Sequence, residues 1–341
     1  MLVGHTDYVN SIDWTTTGTG QVLLATGSDD TTARVWDPDT GETLTTLTGH
    51  ANIVWSVAWA TTGTGQLLLA TASGDRTARI WNPHTGETIT TLDGHTGTVW
   101  SAAWATTDTG QLLLATGSDD GTARIWNPHT GETITTLDGH TGTVWSAAWA
   151  TTDARELLLA TASGDNTARI WNPHTGDTIT TLTGHTSAVN SVAWATTDTG
   201  QPLLATASSD DTARIWSPHT GNVLATAEHL TAVWSVAPQP GRGGMIRLAT
   251  GTQDGQVCLF DLTYELSASV RGEEGGRTAG PMAVMPYGRL GPVPASSIRV
   301  GAGAESVLTG HTSFVNSVAW TTTDSGQPLL ATASSDGTTR I

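Results

Sequence analysis

Residues 82–108 recur letter for letter as residues 127–153, 45 positions further along the chain. The copy belongs to a longer rhythm. Gly4-His5, Gly49-His50, Gly94-His95, Gly139-His140 and Gly184-His185 follow one another at intervals of 45, His229 comes 44 later, and Gly310-His311 closes the series after a gap of 82. A tryptophan ends an Ala-Arg-Ile-Trp type of run at Trp36, Trp81, Trp126, Trp171 and Trp216, and Phe260 takes that place in the sixth unit. A fixed period in this range indicates a repeat architecture, in which no unit covers its apolar faces alone and each is buried against its neighbours. The verbatim stretch reflects duplication of a segment.

Within a unit the text reads as four short strands, TVWSAAWA, QLLLAT, TARIW and TITTL, rich in Thr, Val, Ile, Leu and Trp. Turn clusters such as TTDTG, SGDRT and NPHTGE separate them. The strands do not alternate cleanly between apolar and polar residues, as expected where both sheet faces are covered. Four-stranded sheets stacked in this way make a propeller, which also protects most sheet edges. The expectation is an all-β chain, a single seven-bladed β-propeller of four-stranded antiparallel blades over residues 1–341. Its units start near residues 4, 49, 94, 139, 184, 228 and 310. No helix longer than a turn or two is expected outside 262–308.

Residues 262–308 depart from the pattern, with a Gly/Pro-rich stretch that reads as loop. Ile298-Arg299-Val300 nevertheless matches Ile246-Arg247-Leu248, so the segment is either an insertion or the remnant of a blade, and eight blades is the alternative count. Before the first Gly-His stand only three residues, and after the last unit's third strand the chain reaches Ile341. The final blade is therefore expected to lack most of its outer strand and to open first, and the chain to be a module or fragment of a longer protein, with a possible fused effector domain.

Composition narrows the function. The 14 positive charges are all arginine, against 31 carboxylates, for a net charge of −17. Nothing clusters as a polyanion-binding surface would need, which argues against nucleic acid and anionic membranes as partners. Cys258 is the only cysteine, so neither an internal disulfide nor a cysteine-based zinc site is available. The opening residues lack the basic and long apolar regions of a signal peptide, and no stretch approaches 18 apolar residues, so a cytoplasmic protein is expected. Absence of lysine beside abundant Ala, Gly, Thr and Asp suggests a GC-rich, actinobacterial type of genome. No Gly-rich run has the form of a phosphate-binding loop.

The Gly-His pair, the turn Asp and the Trp followed by Asp or Asn, at about 45 residues per unit, resemble the WD-repeat β-propeller family. The Asp after that Trp survives as Asp37, and Asp261 follows Phe260; Asn82, Asn127, Asn172 and Ser217 stand elsewhere. The resemblance implies a structural tetrad of histidine, second-strand Thr, turn Asp and third-strand Trp. Carried over, these are His50, Thr71, Asp75 and Trp81; His95, Thr116, Asp120 and Trp126; and His140, Thr161, Asp165 and Trp171. In such a set the carboxylate accepts from backbone or imidazole, the imidazole meets the hydroxyl, and the indole donates. The same His/Thr/Asp set could be read as catalytic, with Thr as nucleophile, but its repetition in every unit argues for architecture. Phe260 offers no N–H, so the sixth network should be incomplete. His84, His129, His174 and His219 recur in PHTG turns, one per unit, and read as solvated turn residues rather than metal ligands.

The resemblance also implies an upper face, lined by positions three and five after the histidine and by the residue before the turn Asp. These give Tyr8, Asn10, Asp29, Ile53, Trp55, Trp100, Asp119, Trp145, Asn190, Trp234, Phe314 and Asn316, with Thr98, Thr143, Ala188, Ala232, Gln253 and Ser335 between them. Trp100 and Trp104 stand four apart, which in a regular strand puts both on one face about 13 Å apart. Trp104 and its counterparts Trp14, Trp59, Trp149, Trp194 and Trp320 read as core. Trp55, Trp100, Trp145 and Trp234 read as the rim of a mouth with carboxylates beside it, the composition of an interface hot spot; sealing blade against blade is the competing role. The expected function is non-enzymatic: a scaffold for a protein or peptide, possibly basic, within a larger bacterial signalling or regulatory protein, using no metal and no cofactor. The alternative is an enzymatic propeller, a hydrolase or oxidoreductase with a channel metal or cofactor. That would need convergent ligands on innermost strands, and those strands read Val, Ser, Ala and Trp.

Overall fold

A computed structural model describes residues 2–152, 154–197, 200–240, 245–264, 298–300, 306–322 and 328–341, which form strands and turns without helices. The strands assemble into seven antiparallel sheets, each a meander in chain order. Blade three shows the pattern: Val99–Thr106, Leu112–Ser118, Ala123–Trp126 and Thr133–Leu137. The first strand of each blade touches the first strands of the blades on either side, and that of blade seven (Val315–Thr322) touches that of blade one (Val9–Thr16). The ring is closed, and its innermost strands surround a central axis.

The second strand of blade three is buried along its whole length, which explains why the LLLAT runs do not alternate: both faces of the sheet are covered. Packing is between blades. Ile125, Leu137, Val144, Leu159 and Trp171 belong to one buried cluster across blades three and four. Fully burying such a side chain contributes about 1.5–3 kcal/mol. The deep tryptophans add a directional link at the seams. Trp59 Nε1 donates to the Asp13 carbonyl (3.2 Å), Trp104 to Ala58 (3.0 Å), Trp149 to Ala103 (3.0 Å), Trp194 to Ala148 (2.9 Å) and Trp320 to Ala237 (3.1 Å). Trp14 Nε1 is buried without a partner, and blade six has Pro238 in the equivalent register. Five of the six tryptophans expected in the core thus make seam hydrogen bonds, and Trp104, Trp149, Trp194 and Trp320 are partly rather than fully buried.

Blades six and seven are irregular. The third strand of blade six, Val257–Tyr264, pairs with Ser306–Leu308 at one end and Ile298–Val300 at the other, both antiparallel and both on its outer edge. Ile298–Val300 therefore lies in blade six's fourth-strand position, not in a sheet of its own as an eighth blade would require, and the count is seven. Most of the 262–308 segment lies outside the described residues. Blade seven has three strands, and Leu2 bridges Thr339 in the fourth place. Leu2 is buried there beside Trp36 and Trp14, so one bridge from the start of the chain stands in the place of the last sheet's fourth strand.

Candidate functional site

A β-bulge positions the mouth. In all seven blades the register slips once at the start of the first strand, and the residue left unpaired is Asn10, Trp55, Trp100, Trp145, Asn190, Trp234 or Asn316. A bulge releases one residue from the ladder and re-aims its side chain. It also resets the two-residue alternation, so the four-residue spacing of Trp100 and Trp104 is not what places Trp100. That parity argument fails at the bulge.

The structure gathers Tyr8, Asn10, Asp29, Trp55, Trp100, Trp145, Asn190, Trp234, Phe314 and Asn316, with Ser335, around one cavity of about 380 Å³. Ile53 and Asp119 stand just outside its lining. Trp55, Trp100 and Trp145 lean on one another across blades two to four, with ring centroids 4.3 and 4.7 Å apart. Trp234 stacks on Phe314 at 6.0 Å. The tryptophans thus form a contiguous aromatic wall on one side and an aromatic pair on the other, rather than four separate posts. The three in the wall are half-buried, and Trp234 and Phe314 are 37% and 38% exposed.

Polar partners fix these side chains. Trp100 Nε1 donates to Asp119 Oδ1 (2.7 Å), which also accepts from Thr143 Oγ1 of the next blade (3.0 Å). Trp145 Nε1 is buried without a partner. Where the bulge carries asparagine, its amide spans the seam: Asn10 Nδ2 to the Val54 carbonyl (3.3 Å), Asn190 to Val233 (2.8 Å) and Asn316 to Val9 (3.2 Å). These three asparagines do structural work as well as lining the cavity. Burial raises the Asp29 carboxyl above its usual range, opposed by the hydrogen bond from Asn10.

The tetrads form in blades one to five as the resemblance implied. In blade three, Trp126 Nε1 donates to Thr116 Oγ1 (2.8 Å), Thr116 meets His95 Nε2 (2.8 Å), and His95 Nδ1 meets Asp120 (2.8 Å). Blade two repeats this with Trp81, Thr71, His50 and Asp75, and blade four with Trp171, Thr161, His140 and Asp165. A neutral imidazole protonated on Nδ1 satisfies every group in the chain. Burial lowers the His95 pKa despite the hydrogen bond that its Nδ1–H donates to Asp120. Burial would raise Asp120, but Thr122 and His95 outweigh it and hold that carboxyl at about 2. In blade six Thr250 Oγ1 turns instead to the Cys258 carbonyl (3.4 Å) and His229 Nε2 is buried without a partner. The network is incomplete there, as Phe260 implied.

One carboxylate at the axis escaped the reading of the innermost strands as Val, Ser, Ala and Trp. Asp13 sits where the other blades have Ala58, Ala103, Ala148, Ala193, Ala237 and Ala319. The signal was a single Asp in the first unit. Its carboxylate accepts from the backbone N–H of Trp59 (2.8 Å) and Trp14 (2.9 Å). Burial raises its pKa to about 6 against those two bonds. His84, His129, His174 and His219 are exposed on outer turns. Among the described residues no three His, Cys, Asp or Glu side chains come together as a metal site. A larger hollow, about 790 Å³, lies over the turns of blade four around Arg155, Glu156, His174 and Asp177, with Leu157, Leu158, Ile170 and Ile179 also in its walls and no Trp, Tyr or Phe among its lining residues.

The IFT122 first beta-propeller family matches residues 1–261, and the WD domain, G-beta repeat family matches residues 304–341. No match was found among curated proteins. No helix among the described residues is long and apolar enough to cross a membrane.

Proposed function

The chain belongs to the IFT122 first-propeller family of WD-repeat β-propellers, whose members generally serve as protein-interaction scaffolds, and on that premise we propose that it is a non-enzymatic scaffold that binds a protein or peptide in the tryptophan-lined mouth. The observation that carries this is the bulge-borne aromatic wall of Trp55, Trp100 and Trp145 facing the Trp234–Phe314 pair across one cavity. Aromatic groups that remain open to solvent beside fixed polar partners supply contact area at low entropic cost.

The ligand we infer is basic. Arg34, Arg79, Arg124, Arg169 and Arg214 each lie 5.8–5.9 Å over a tetrad tryptophan. Arg340 bonds the Gly310 carbonyl and Arg247 pairs with Asp261. The described arginines are thus largely spent inside the fold, while Asp29 and Asp119 stand at the mouth. An Arg or Lys side chain over a tryptophan gains about 0.5–2 kcal/mol. Nucleic acid and anionic membrane are disfavoured by the same charge balance. The enzymatic alternative gains no support at the axis, where Asp13 is surrounded by six alanines at the equivalent positions. We infer a cytoplasmic setting in an actinobacterial type of cell, within a larger signalling or regulatory protein, with no metal or cofactor needed.

Selection from an unbiased peptide-display library on the full chain tests this reading. Enrichment of Arg- or Lys-bearing sequences that compete with one another is expected. Enrichment of acidic sequences would overturn the basic-ligand reading.

A further inference from the structure

Blade six differs from blades one to five at three positions that touch one another in those blades. The third-strand residue opposite the tetrad threonine is arginine in each of the five: Thr116 with Arg124, for example, and likewise Thr71 with Arg79. The guanidinium covers the tetrad tryptophan and fills the space in front of the Gly-His glycine. A Cβ added to Gly94 would lie 2.9 Å from Arg124 Nη1 and 3.2 Å from the Trp126 ring. In blade six the glycine is Glu228, the arginine is Cys258 in the same register against Thr250, and the tryptophan is Phe260.

The exchange leaves a cavity of about 250 Å³, walled by Glu228, His229, Leu230, Asp254, Cys258 and Phe260. It is on the scale of a side chain, below that of a drug-sized ligand site. Around the space that a guanidinium fills in the sister blades, Glu228 adds a carboxylate to that of Asp254, the turn Asp of this unit, and Phe260 takes the place of the tryptophan ring. His229 Nε2 is buried there without a hydrogen-bond partner. Asp254 accepts from Thr252 Oγ1 and keeps lone pairs to spare. Leu230, at 96% exposed, offers an apolar step beside the opening.

We propose that this cavity receives the guanidinium of an arginine side chain from a protein partner, replacing in trans the arginine that blades one to five supply in cis. The planar fork suits Glu228 and Asp254 together, and its face suits the Phe260 ring. A neutral His229 protonated on Nδ1 accepts the remaining N–H at Nε2. Burial keeps that imidazole neutral at pH 7, with its pKa at about 4, against the pull of Asp254 and Asp211. A lysine ammonium has neither the plane to stack nor the fork. This site is built from blade six and from Glu228 at the end of blade five's outer strand, Val223–Glu228, and does not depend on what the mouth binds.

Cys258 is the chain's only cysteine, so alkylation of the full chain by iodoacetamide reports on this cavity. The probe is N-acetyl-arginine N-methylamide, with the citrulline counterpart as a neutral isostere. At four times its Kd the arginine compound should slow alkylation about fivefold, following 1 + [L]/Kd. The citrulline compound should leave the rate unchanged, and Glu228→Gln should weaken protection. The variant E228G/C258R, which rewrites blade six to the pattern of the other blades, should lose the ligand-induced shift of the His229 ring resonances seen in the parent chain. Trp100→Ala with Trp145→Ala should leave Cys258 protection intact, separating this site from the mouth. Equal protection by both compounds, no protection by either, or a ligand-induced His229 shift retained in E228G/C258R would overturn the proposal.

Discussion

Blades three and six share a backbone plan and differ in how their polar groups are satisfied. Both pair their second and third strands in the same register, Leu114 with Trp126 and Leu248 with Phe260. In blade three the indole, hydroxyl, imidazole and carboxylate form an unbroken chain under a guanidinium. In blade six the indole and guanidinium are gone, the hydroxyl points to a carbonyl, and one imidazole nitrogen has nothing. Pro238 also forfeits the seam hydrogen bond that Trp104 makes for blade three. The blade fold survives the loss, so strand pattern and inter-blade burial define the architecture. The tetrad adds local stability on top and excludes alternatives for each buried polar atom.

The largest test of that contrast removes the hydroxyl from each blade. Thr116→Val strands Trp126 Nε1 and His95 Nε2 in the core, at about 1–3 kcal/mol for each unmet group. A loss of about 3 kcal/mol is expected in chemical denaturation. Thr250→Val removes one long bond and should cost less than about 1 kcal/mol. Equal losses would mean that the two blades are held in the same way.

Acid should sharpen the contrast, because blade six holds the more strongly lowered histidine pKa. His229 has a folded pKa of about 4, below its ordinary 6.5. The folded state therefore refuses a proton that the unfolded state takes. This part of blade six's stability is whole above about pH 6.5 and declines as pH falls towards 4, by about 3 kcal/mol. Asp120, held at about 2 against an ordinary 3.8, contributes stability that persists down to about pH 3.8 and is lost below it. Hydrogen exchange at pH 5 against pH 7, corrected for intrinsic rates, should show residues 229–262 loosening more than 95–126, where burial also lowers the His95 pKa. His229→Phe should abolish the difference.

A smaller effect separates blade one from its sisters. The raised pKa of Asp13, about 6, has the opposite sign: its contribution is complete below about pH 3.8 and is lost as pH rises through 6. Asp13→Ala, which adopts the residue of the other six blades, should stabilise the ring at pH 8 by about 1 kcal/mol and by little at pH 4. The gain is kept small because the side chain is only partly buried at the axis and water screens it. Equal melting shifts at both pH values would mean that the carboxylate is not strained by its site.

Much of the molecule was legible in its period. The Gly-His spacing and the Thr, Asp and Trp that recur with it define blades and tetrads because each unit repeats the same short-range contacts. Phe260 announced the defect of blade six directly. What escaped depends on residues that the period does not relate. The bulges are slips in pairing between two strands, invisible in either strand alone, and they overturn the four-residue parity of Trp100 and Trp104. The outer strand of blade six is supplied by Ile298–Val300 and Ser306–Leu308, far along the chain from Tyr264 and without the repeat's markers. The blade-six cavity arises from Glu228 together with Cys258 and Phe260, 30 and 32 positions further along, which look unrelated until the register brings them together. Asp13 stood in view, but as one odd letter among seven units.

The central claim is that the bulge tryptophans are a binding wall rather than a seal between blades. Replacing Trp100 and Trp145 together by alanine, then measuring both affinity for a selected basic peptide and the melting curve, tests it most directly. Loss of two aromatic contacts should weaken binding about tenfold or more, while melting stays cooperative and the strand signature of the circular dichroism is kept. Collapse of the fold with both substitutions, or unchanged affinity in a folded variant, would contradict the claim.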